Sequence, residues 1–360
     1  ASPFIGKEER RLINEVLDSR ILASGKYVET FEKQFADYCG VKYAIANNNG
    51  TAALHTALIA CGIKSGDKVV TTPFSFIATS NSILFCAAKP IFADIDPKTF
   101  NIDPVSLEKI LIKEKNVKAV IVVHLYGLMC DMDAIMKLKK KYKFKLIEDC
   151  AQAHGALYKG KKAGSFGDAA AFSFYATKNM MTGEGGMTLV SDAKADKYAR
   201  QIINHGRDGH STFTVLGYNY RMTNLEAAIG IAQLKQIENW IEKRNENAAK
   251  YARAFEDLDF IKIPFIPKGQ RHVFHQYTIR IKSQNRTDFM DYLKGKGVGC
   301  GIYYDTVLYR QPYYKKLGYK AGICPIAEET VKEVVSIPVH PLLSNEDRNI
   351  IINAVRGYLK

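Results

Sequence analysis

Short apolar runs alternate with helical periodicity through the first two thirds of the chain. Strand-like runs begin with VKYAIA, continue at residues 68–72, 90–94, 118–123, 145–147 and 169–174, and end with MTLVSD. Each run has the length and composition of a β-strand, and helical segments lie between several of them. Because alternating strands and helices form a sheet with helical crossovers, this pattern predicts an α/β fold.

The flanking segments predict helices at one end and a mixed unit at the other. Residues up to about Tyr38 predict one or two amphipathic helices separated by a break at Ala23-Ser24-Gly25. A long helical pattern from Asn224 to about Phe255 is interpreted as a connector between domains. The remainder predicts strand-like HQYTIRI, a helix at 286–295, strand-like VGCGIYY and a final helix at 345–358. We therefore predict a large domain at residues 1–240 and a small α+β domain at residues 241–360.

Composition agrees with a large globular protein. The chain has 360 residues, 47% of them hydrophobic, which suits about two domains with sizeable cores. No charge-free apolar run reaches the roughly 18 residues that a membrane span needs. The N-terminal segment SPFIGKEERR is too charged for a signal peptide. These features predict a cytoplasmic protein without a membrane partner.

The formal net charge of +14 would suit nucleic acid, an anionic membrane surface or small anions such as a polyphosphate substrate. The lysines are dispersed, and the densest run, KLKKKYKFK, is typical of a solvated helix end that leads into a strand. The sequence has no helix-turn-helix, RNP or zinc-finger pattern. We therefore expect no nucleic-acid partner.

Motifs for metals, disulfides and nucleotide loops are weak. The seven cysteines are odd in number and never in C-x-x-C spacing, so neither a disulfide framework nor a zinc site is indicated. His272 and His275 would point to opposite faces of an extended segment. GALYKGKK has lysine where a phosphate loop needs Ser or Thr, and GEGGM leads into a strand rather than a helix. We predict no metal site.

The segment from Lys143 to Gly186 combines an acid, an amide, a hydroxyl and a lysine. Asp149 comes at the end of a buried strand, Gln152 comes three residues later, and Ser173 lies in the next apolar run, five residues before Lys178. Alone, such an Asp is usually a helix cap and such a Lys a surface residue. Together they match the needs of pyridoxal phosphate, which requires a lysine for its aldehyde and a carboxylate for its ring nitrogen. Gln152 would face the phenolic oxygen, and Ser173 would bind the phosphate.

These residues lie in a pattern that resembles a known family. DCAQAHGA, then GDAAAFSFYATKN and GEGGM, closely resemble the signature of DegT-type sugar aminotransferases, and the resemblance covers nearly the whole chain. It implies the fold type I architecture of pyridoxal phosphate enzymes. In that architecture a central mixed, mostly parallel sheet is flanked by helices, and a smaller α+β domain follows.

Further cofactor contacts are predicted outside this segment. A helix that starts near Gly50-Thr51 would present free N–H groups and its positive dipole end to the phosphate. The resemblance implies that the ring of Phe76 lies over the cofactor. It also implies that the GYNYRM segment crosses to a neighbouring subunit, where Asn219 meets the phosphate. The family pattern therefore implies a homodimer with shared active sites.

The residues assigned to the substrate are Tyr175, Arg221, Tyr304 and Tyr309. Arg221 would organise the GYNYRM loop or an anionic substrate group, and Tyr304 fits the family pattern in GIYYDTVLYRQPYY. This loop departs from many members at Asp305 and Tyr309, where they have Pro and His. Because the loop borders the sugar pocket, the departures bear on substrate identity rather than on cofactor chemistry.

The resemblance implies an aminotransferase that moves an amino group from an amino acid, with glutamate as the expected donor, to a nucleotide-linked keto-sugar. One alternative is a sugar dehydratase of the same family, whose members have His at the lysine position. Another is a non-catalytic relative that regulates or binds nucleic acid. The presence of Lys178 favours the aminotransferase.

Overall fold

A computed structural model describes residues 3–281 and 285–358 of the chain. The helices are α1 (Lys7–Ser19), α2 (Lys26–Cys39), α3 (Gly50–Ala60), α4 (Ala78–Phe85), α5 (Pro104–Lys113), α6 (Met132–Tyr142), α7 (Ala193–Ile203), α8 (Asn224–Leu234), α9 (Ile237–Phe255), α10 (Arg286–Gly295), α11 (Pro312–Lys316), α12 (Pro325–Thr330) and α13 (Asn345–Arg356). The strands are β1 (Tyr43–Asn47), β2 (Lys68–Thr71), β3 (Lys89–Phe92), β4 (Val117–Val123), β5 (Lys145–Asp149), β6 (Leu157–Tyr158), β7 (Lys161–Lys162), β8 (Ala169–Ser173), β9 (Gly186–Val190), β10 (Arg207–Asp208), β11 (Thr212–Phe213), β12 (Ile261–Lys262), β13 (Gln270–Arg271), β14 (Tyr277–Ile281) and β15 (Val334–Ile337).

The central sheet has seven strands in the order β1-β9-β8-β5-β4-β2-β3. Strands β3, β2, β4, β5 and β8 pair in parallel, whereas β9 runs antiparallel to both β8 and β1. Parallel strands covered on both faces are apolar almost throughout, which explains the continuous hydrophobic runs of β4 and β8. The predicted α/β fold with a mostly parallel sheet is confirmed.

The sheet brings the ends of distant strands to one edge. Strands β4, β5 and β8 are adjacent and parallel, so the residues that follow them emerge on the same side. Ligands of open α/β sheets bind beyond the carboxyl ends of such strands. Asp149 ends β5 and Ser173 ends β8, so both lie at this edge.

The segment predicted to form one or two N-terminal helices forms two. Helices α1 and α2 flank the break that contains Ala23-Ser24-Gly25, and both pack against α8. Helix α8 is apolar around most of its circumference and is largely buried. At Gly230 there is no room for a side chain, because a Cβ atom would lie 2.6 Å from the ring of Phe31.

The predicted single helix from Asn224 to Phe255 is wrong, because it consists of α8 and α9. The break lies at Lys235-Gln236, where the backbone leaves the regular hydrogen-bonding pattern. Apolar positions continue across this break without Gly or Pro, so periodicity alone did not reveal it. The all-round apolar α8 fits the large core, whereas the amphipathic α9 has one buried face.

The domain boundary predicted after residue 240 falls inside α9. Trp240 and Ile241 belong to the large core, whereas Tyr251 and Phe255 belong to a second core with β14 and α13. A third apolar cluster joins Phe74 and other residues of the large unit to the C-terminal segment 307–334. The large unit and the C-terminal unit are therefore joined by this apolar cluster as well as by α9.

The C-terminal unit contains an antiparallel sheet of β12, β14 and β15. The helix predicted at 286–295 is confirmed as α10, and the final helix ends at Arg356. The strand predicted for VGCGIYY is wrong, since only Gly301 forms an isolated bridge, to Ser336 of β15. Within the described residues, no helix has the length and apolarity required to cross a bilayer.

Candidate active site

A buried carboxylate stands at the end of β5. Asp149 is 5% exposed, its Oδ2 accepts a hydrogen bond from Thr79 Oγ1 at 2.7 Å, and its Oδ1 accepts one from the Ala151 N–H at 3.1 Å. Burial raises the pKa of Asp149, whereas these two donors and the positive charge of Lys178 act to lower it. Thr79 carries no sequence signal for this role, because only the fold brings α4 to β5.

The lysine lies in the turn after β8. The Lys178 N–H donates to the Tyr175 carbonyl at 2.9 Å, and the Lys178 side chain is half-buried. Burial lowers the pKa of Lys178 from 10.5 to about 8, and the charge of Asp149 acts in the opposite direction. Because each of the two groups shifts the pKa of the other, acid and amine belong to one electrostatic site.

The start of α3 touches the end of β8. The side chain of Asn49 caps this helix by accepting a hydrogen bond from the Ala52 N–H at 2.8 Å. A Cβ atom at Gly50 would lie 2.6 Å from the Cβ of Ser173, so this approach requires glycine. The contact brings the predicted pair Gly50-Thr51 next to the Ser173 hydroxyl. Such a helix start, with a neighbouring hydroxyl, is suited to an anion.

Gln152 connects the acid-bearing loop to the C-terminal segment. Its Oε1 accepts a hydrogen bond from the Tyr126 N–H at 2.6 Å, and its Nε2 donates to the Tyr304 hydroxyl at 3.1 Å. The ring centroids of Tyr304 and Phe76 are 6.0 Å apart, and Phe76 remains 56% exposed. These two rings line a cavity of about 760 Å³, which is large enough for a small-molecule ligand.

The GYNYRM segment lies beside the turn that precedes α3. The side-chain amide of Asn48 donates to the Asn219 carbonyl at 3.3 Å. Arg221 forms an isolated β-bridge with Asn47, and its Nη1 donates to Asn204 Oδ1 at 2.6 Å. The side chain of Asn219 is exposed and makes no hydrogen bond to the residues that the structure describes.

The structure contradicts the assignment of Tyr309 to the substrate. The side chain of Tyr309 is fully buried. The Tyr309 hydroxyl donates to Glu328 Oε1 at 2.7 Å and accepts a hydrogen bond from the Cys324 N–H at 3.0 Å. The ring packs 5.3 Å from that of Phe92. Tyr309 therefore belongs to the core beneath the cavity. Tyr175, by contrast, is 47% exposed.

A buried polar network next to Asp149 was not predicted. Glu148 accepts hydrogen bonds from His124 Nε2 at 3.0 Å and from the N–H groups of Gly164, Phe166 and Gly167 at 2.8–3.0 Å. Burial opposes the ionised form of Glu148, but His124 and the backbone donors outweigh it and lower its pKa. His124, Glu148 and Cys150 are close enough to hold a metal ion. The donors already bound to Glu148 explain its burial without one.

Together these features fit pyridoxal phosphate. A buried acid suits the ring nitrogen, an amine of lowered pKa suits the aldehyde, and the start of α3 with Ser173 suits the phosphate. The exposed ring of Phe76 stands at the cavity wall, where it is available to stack on an aromatic ring.

Comparison with known proteins identifies the family. Residues 3–356 match the model of the DegT/DnrJ/EryC1/StrS aminotransferase family. A pleiotropic regulatory protein of Geobacillus stearothermophilus is 41% identical over 98% of this chain and 95% of its own. GDP-perosamine synthase of Caulobacter vibrioides is 38% identical over 99% of this chain and 96% of its own. The crystal structure of a DegT DnrJ EryC1 StrS aminotransferase from Brucella abortus superposes with a TM-score of 0.92 at 32% identity, covering 98% of this chain and 95% of that one.

These matches extend over nearly the whole chain, and its structural neighbours are fold type I aminotransferases. Sugar aminotransferases recur among the relatives, at identities comparable to that of GDP-perosamine synthase. The chain therefore belongs to the DegT/DnrJ/EryC1/StrS aminotransferase family and, like that family, depends on pyridoxal phosphate.

Proposed function

We propose that this protein transfers the amino group of an amino acid, with L-glutamate as the expected donor, to a nucleotide-linked keto-sugar. The observation that carries the proposal is the electrostatic coupling of Lys178 and Asp149 at one edge of the sheet. The name of the 38% identical relative, GDP-perosamine synthase, supports a nucleotide-sugar as the acceptor.

The proposed roles follow from position. Pyridoxal phosphate, when bound, supplies an aldehyde for the amino group and a ring that takes up the electrons of a breaking C–H bond. Lys178 Nζ removes the proton from Cα of the donor in the first half-reaction and delivers one to the sugar carbon in the second. Asp149 holds a proton at the ring nitrogen. Gln152 faces the phenolic oxygen, and Ser173 with the start of α3 binds the phosphate.

The large cavity beside Phe76 and Tyr304 is the proposed sugar and nucleotide pocket. Its wall combines aromatic rings with Asn81, Asp305 and Gln311, so it offers both stacking surfaces and polar groups. Tyr175 and Arg221 are also proposed to bind the substrate, Arg221 as a counter-charge for an anionic group. The net charge of +14 would attract a diphosphate-linked substrate.

The test is a transamination assay with a panel of nucleotide-linked keto-sugars. The protein is first loaded with the amine form of the cofactor, and each acceptor is then offered alone. Formation of the amino-sugar, detected by mass, together with return of the aldehyde form of the cofactor would support the proposal. A panel in which free keto-sugars react and every nucleotide-linked one fails would contradict it.

The first prediction concerns cofactor uptake. Cofactor-free protein should bind pyridoxal phosphate faster as the pH rises through about 8, because only the neutral amine attacks the aldehyde and burial lowers the pKa of Lys178 to about 8. Stopped-flow absorbance between roughly pH 7 and 9 measures this rate, with Nα-acetyl-lysine, whose side-chain pKa is about 10.4, as the control amine. An uptake profile that follows the control would argue against Lys178 as the attachment point.

We also propose a homodimer with shared sites. The hairpin β10-β11 and the loop after it expose Phe213 and Leu216, which are 57% and 81% exposed, and the exposed Asn219 follows them. Exposed apolar side chains of this size suit a subunit interface. In the proposed dimer the loop carries Asn219 to the phosphate of the partner subunit's cofactor.

Mixing two inactive variants tests the shared site. Lys178→Ala lacks the amine, and Asn219→Asp places a negative charge against the phosphate. If Asn219 acts across the interface, unfolding and refolding the two together should restore about a quarter of the native sites, because half of the dimers are mixed and each has one intact site. Refolding each variant alone is the control. Absence of any recovery in dimers shown to be mixed would place Asn219 in its own chain's site.

The relative named as a pleiotropic regulatory protein favours a second candidate, a regulatory role. Lys178 and Asp149 are both present and coupled, so chemistry and regulation could coexist in one protein. A sugar dehydratase is the other alternative, and Lys178 argues against it. Release of the donor's oxo-acid in proportion to amino-sugar formed would distinguish amino transfer from dehydration.

A further inference from the structure

Arg244 is a buried cation without a counter-charge. It lies on α9, is 7% exposed, and its Nη1 donates to the Phe274 carbonyl at 2.9 Å. Its Nε is sealed from solvent without an acceptor, and no carboxylate of the described residues pairs with it. A buried guanidinium left in this state is costly, so a missing anion is the simplest explanation.

Arg244 and Lys178 line the same small cavity. The lining of a space of about 60 Å³ includes Arg244, Lys178, Asn179, His340 and Trp240 together with apolar side chains. It has room for about two water molecules, which is also the scale of one carboxylate group. The nucleotide part of the proposed acceptor is far too large for it, whereas the cavity beside Phe76 measures about 760 Å³.

The alternative to anion binding is a structural role, in which Arg244 anchors the segment 272–276. One hydrogen bond to the Phe274 carbonyl uses one of its five N–H groups. Asn245 Nδ2 also holds this segment, through the His272 carbonyl at 3.0 Å, and Asn179 Nδ2 donates to the Val273 carbonyl at 3.1 Å. The segment is therefore fixed by neutral amides, and a charge is not needed to hold it.

We infer that Arg244 binds a carboxylate group of the amino-acid donor next to Lys178. The inference rests on the proposed function for the identity of the ligand, and on the buried guanidinium and the shared cavity for the site. A planar guanidinium matches a carboxylate in geometry and charge. Bound there, the donor would be held against the amine that takes its Cα proton.

Trp240 provides a direct readout. It is the single tryptophan of the chain, it is 7% exposed, and it lines the same cavity. Titration of the holoprotein with glutarate, an unreactive dicarboxylate, should change its fluorescence in a saturable way. Neutral glutaramide should not, and sodium chloride at equal ionic strength tests for any small anion.

The variants separate charge from packing. Arg244→Met should raise the Kd for glutarate roughly 30-fold or more, as expected for loss of one partner of a buried charge pair. Arg244→Lys should recover part of the affinity. Arg253→Met, an exposed position on the same helix, should leave it unchanged. In single half-reactions, Arg244→Met should slow the step with glutamate and spare the step with the keto-sugar.

Several outcomes would overturn the inference. These are a native protein that glutarate does not perturb, a response that chloride reproduces, or a folded Arg244→Met that binds glutarate normally. If Arg244→Met does not fold, the glutarate titrations of the native protein and of Arg244→Lys still show whether the position binds a carboxylate. Failure of the keto-sugar assay with intact, Arg244-dependent glutarate binding would instead remove the proposed acceptor and leave the carboxylate site standing.

Discussion

Replacement of Lys178 by alanine is expected to abolish amino transfer while leaving the fold intact. The residue is half-buried in a turn whose backbone bond, from the Lys178 N–H to the Tyr175 carbonyl, does not involve its side chain. Loss of a positioned acid–base group alone costs about 10²–10⁴-fold in rate. In the proposed mechanism both half-reactions depend on Lys178 Nζ, so each should fall by a similar factor.

Two measurements check this prediction. Rates of each half-reaction are followed by cofactor absorbance, and borohydride reduction followed by peptide mass analysis reports the covalent attachment of the cofactor. The control is Lys140→Ala, which removes an exposed lysine of α6. A Lys178→Ala protein that still turns over at a native rate, or that still attaches the cofactor covalently, would refute the role of this lysine.

The second large effect is expected for Asp149→Asn, which removes the charge and keeps the shape. The carboxylate accepts from Thr79 and Ala151 in the native protein, and the amide oxygen of Asn can keep one of these bonds. The ring nitrogen would then lose the partner that keeps it protonated. Loss of a comparable preorganised partner costs about 2.7–4 kcal/mol, or about 10²–10³-fold in turnover.

Turnover of Asp149→Asn is measured at saturating cofactor, so that weaker cofactor binding does not mimic a chemical defect. Asp133→Asn is the control, since Asp133 is exposed and pairs with Lys159 at the surface, where such pairs contribute little. An Asp149→Asn protein within a few-fold of the native turnover would show that the carboxylate is not the ring's essential partner.

The sequence predicted the sheet well because burial on both faces leaves a direct signature in the composition of its strands. Strands β4 and β8 are almost wholly apolar, and that pattern follows from burial on both faces of the sheet. Strand β5 ends at Asp149 as predicted, and β8 ends at Ser173, one residue before the end of the predicted apolar run. Residues at the ends of adjacent parallel strands meet whatever the details of packing.

The sequence did not predict features that depend on distant packing. The break between α8 and α9 has no Gly or Pro signal. Tyr309 resembled a pocket residue by its place in a motif, but Glu328 and Cys324, which lie further along the chain, hold its hydroxyl in the core. Arg244 lacked any sequence signal, because its distinguishing property is the absence of an acid around it in space.

The hydrogen bond from Gln152 to Tyr304 has a consequence for the integrity of the site. It joins residues that are 152 positions apart, and the segment after Tyr304 packs into the cluster that contains Phe74 and Phe92. The cavity wall beside Phe76 therefore forms only when residues 304–314 have docked against the large unit. A chain that ends before this segment would contain all seven strands of the central sheet and still lack this wall of the cavity.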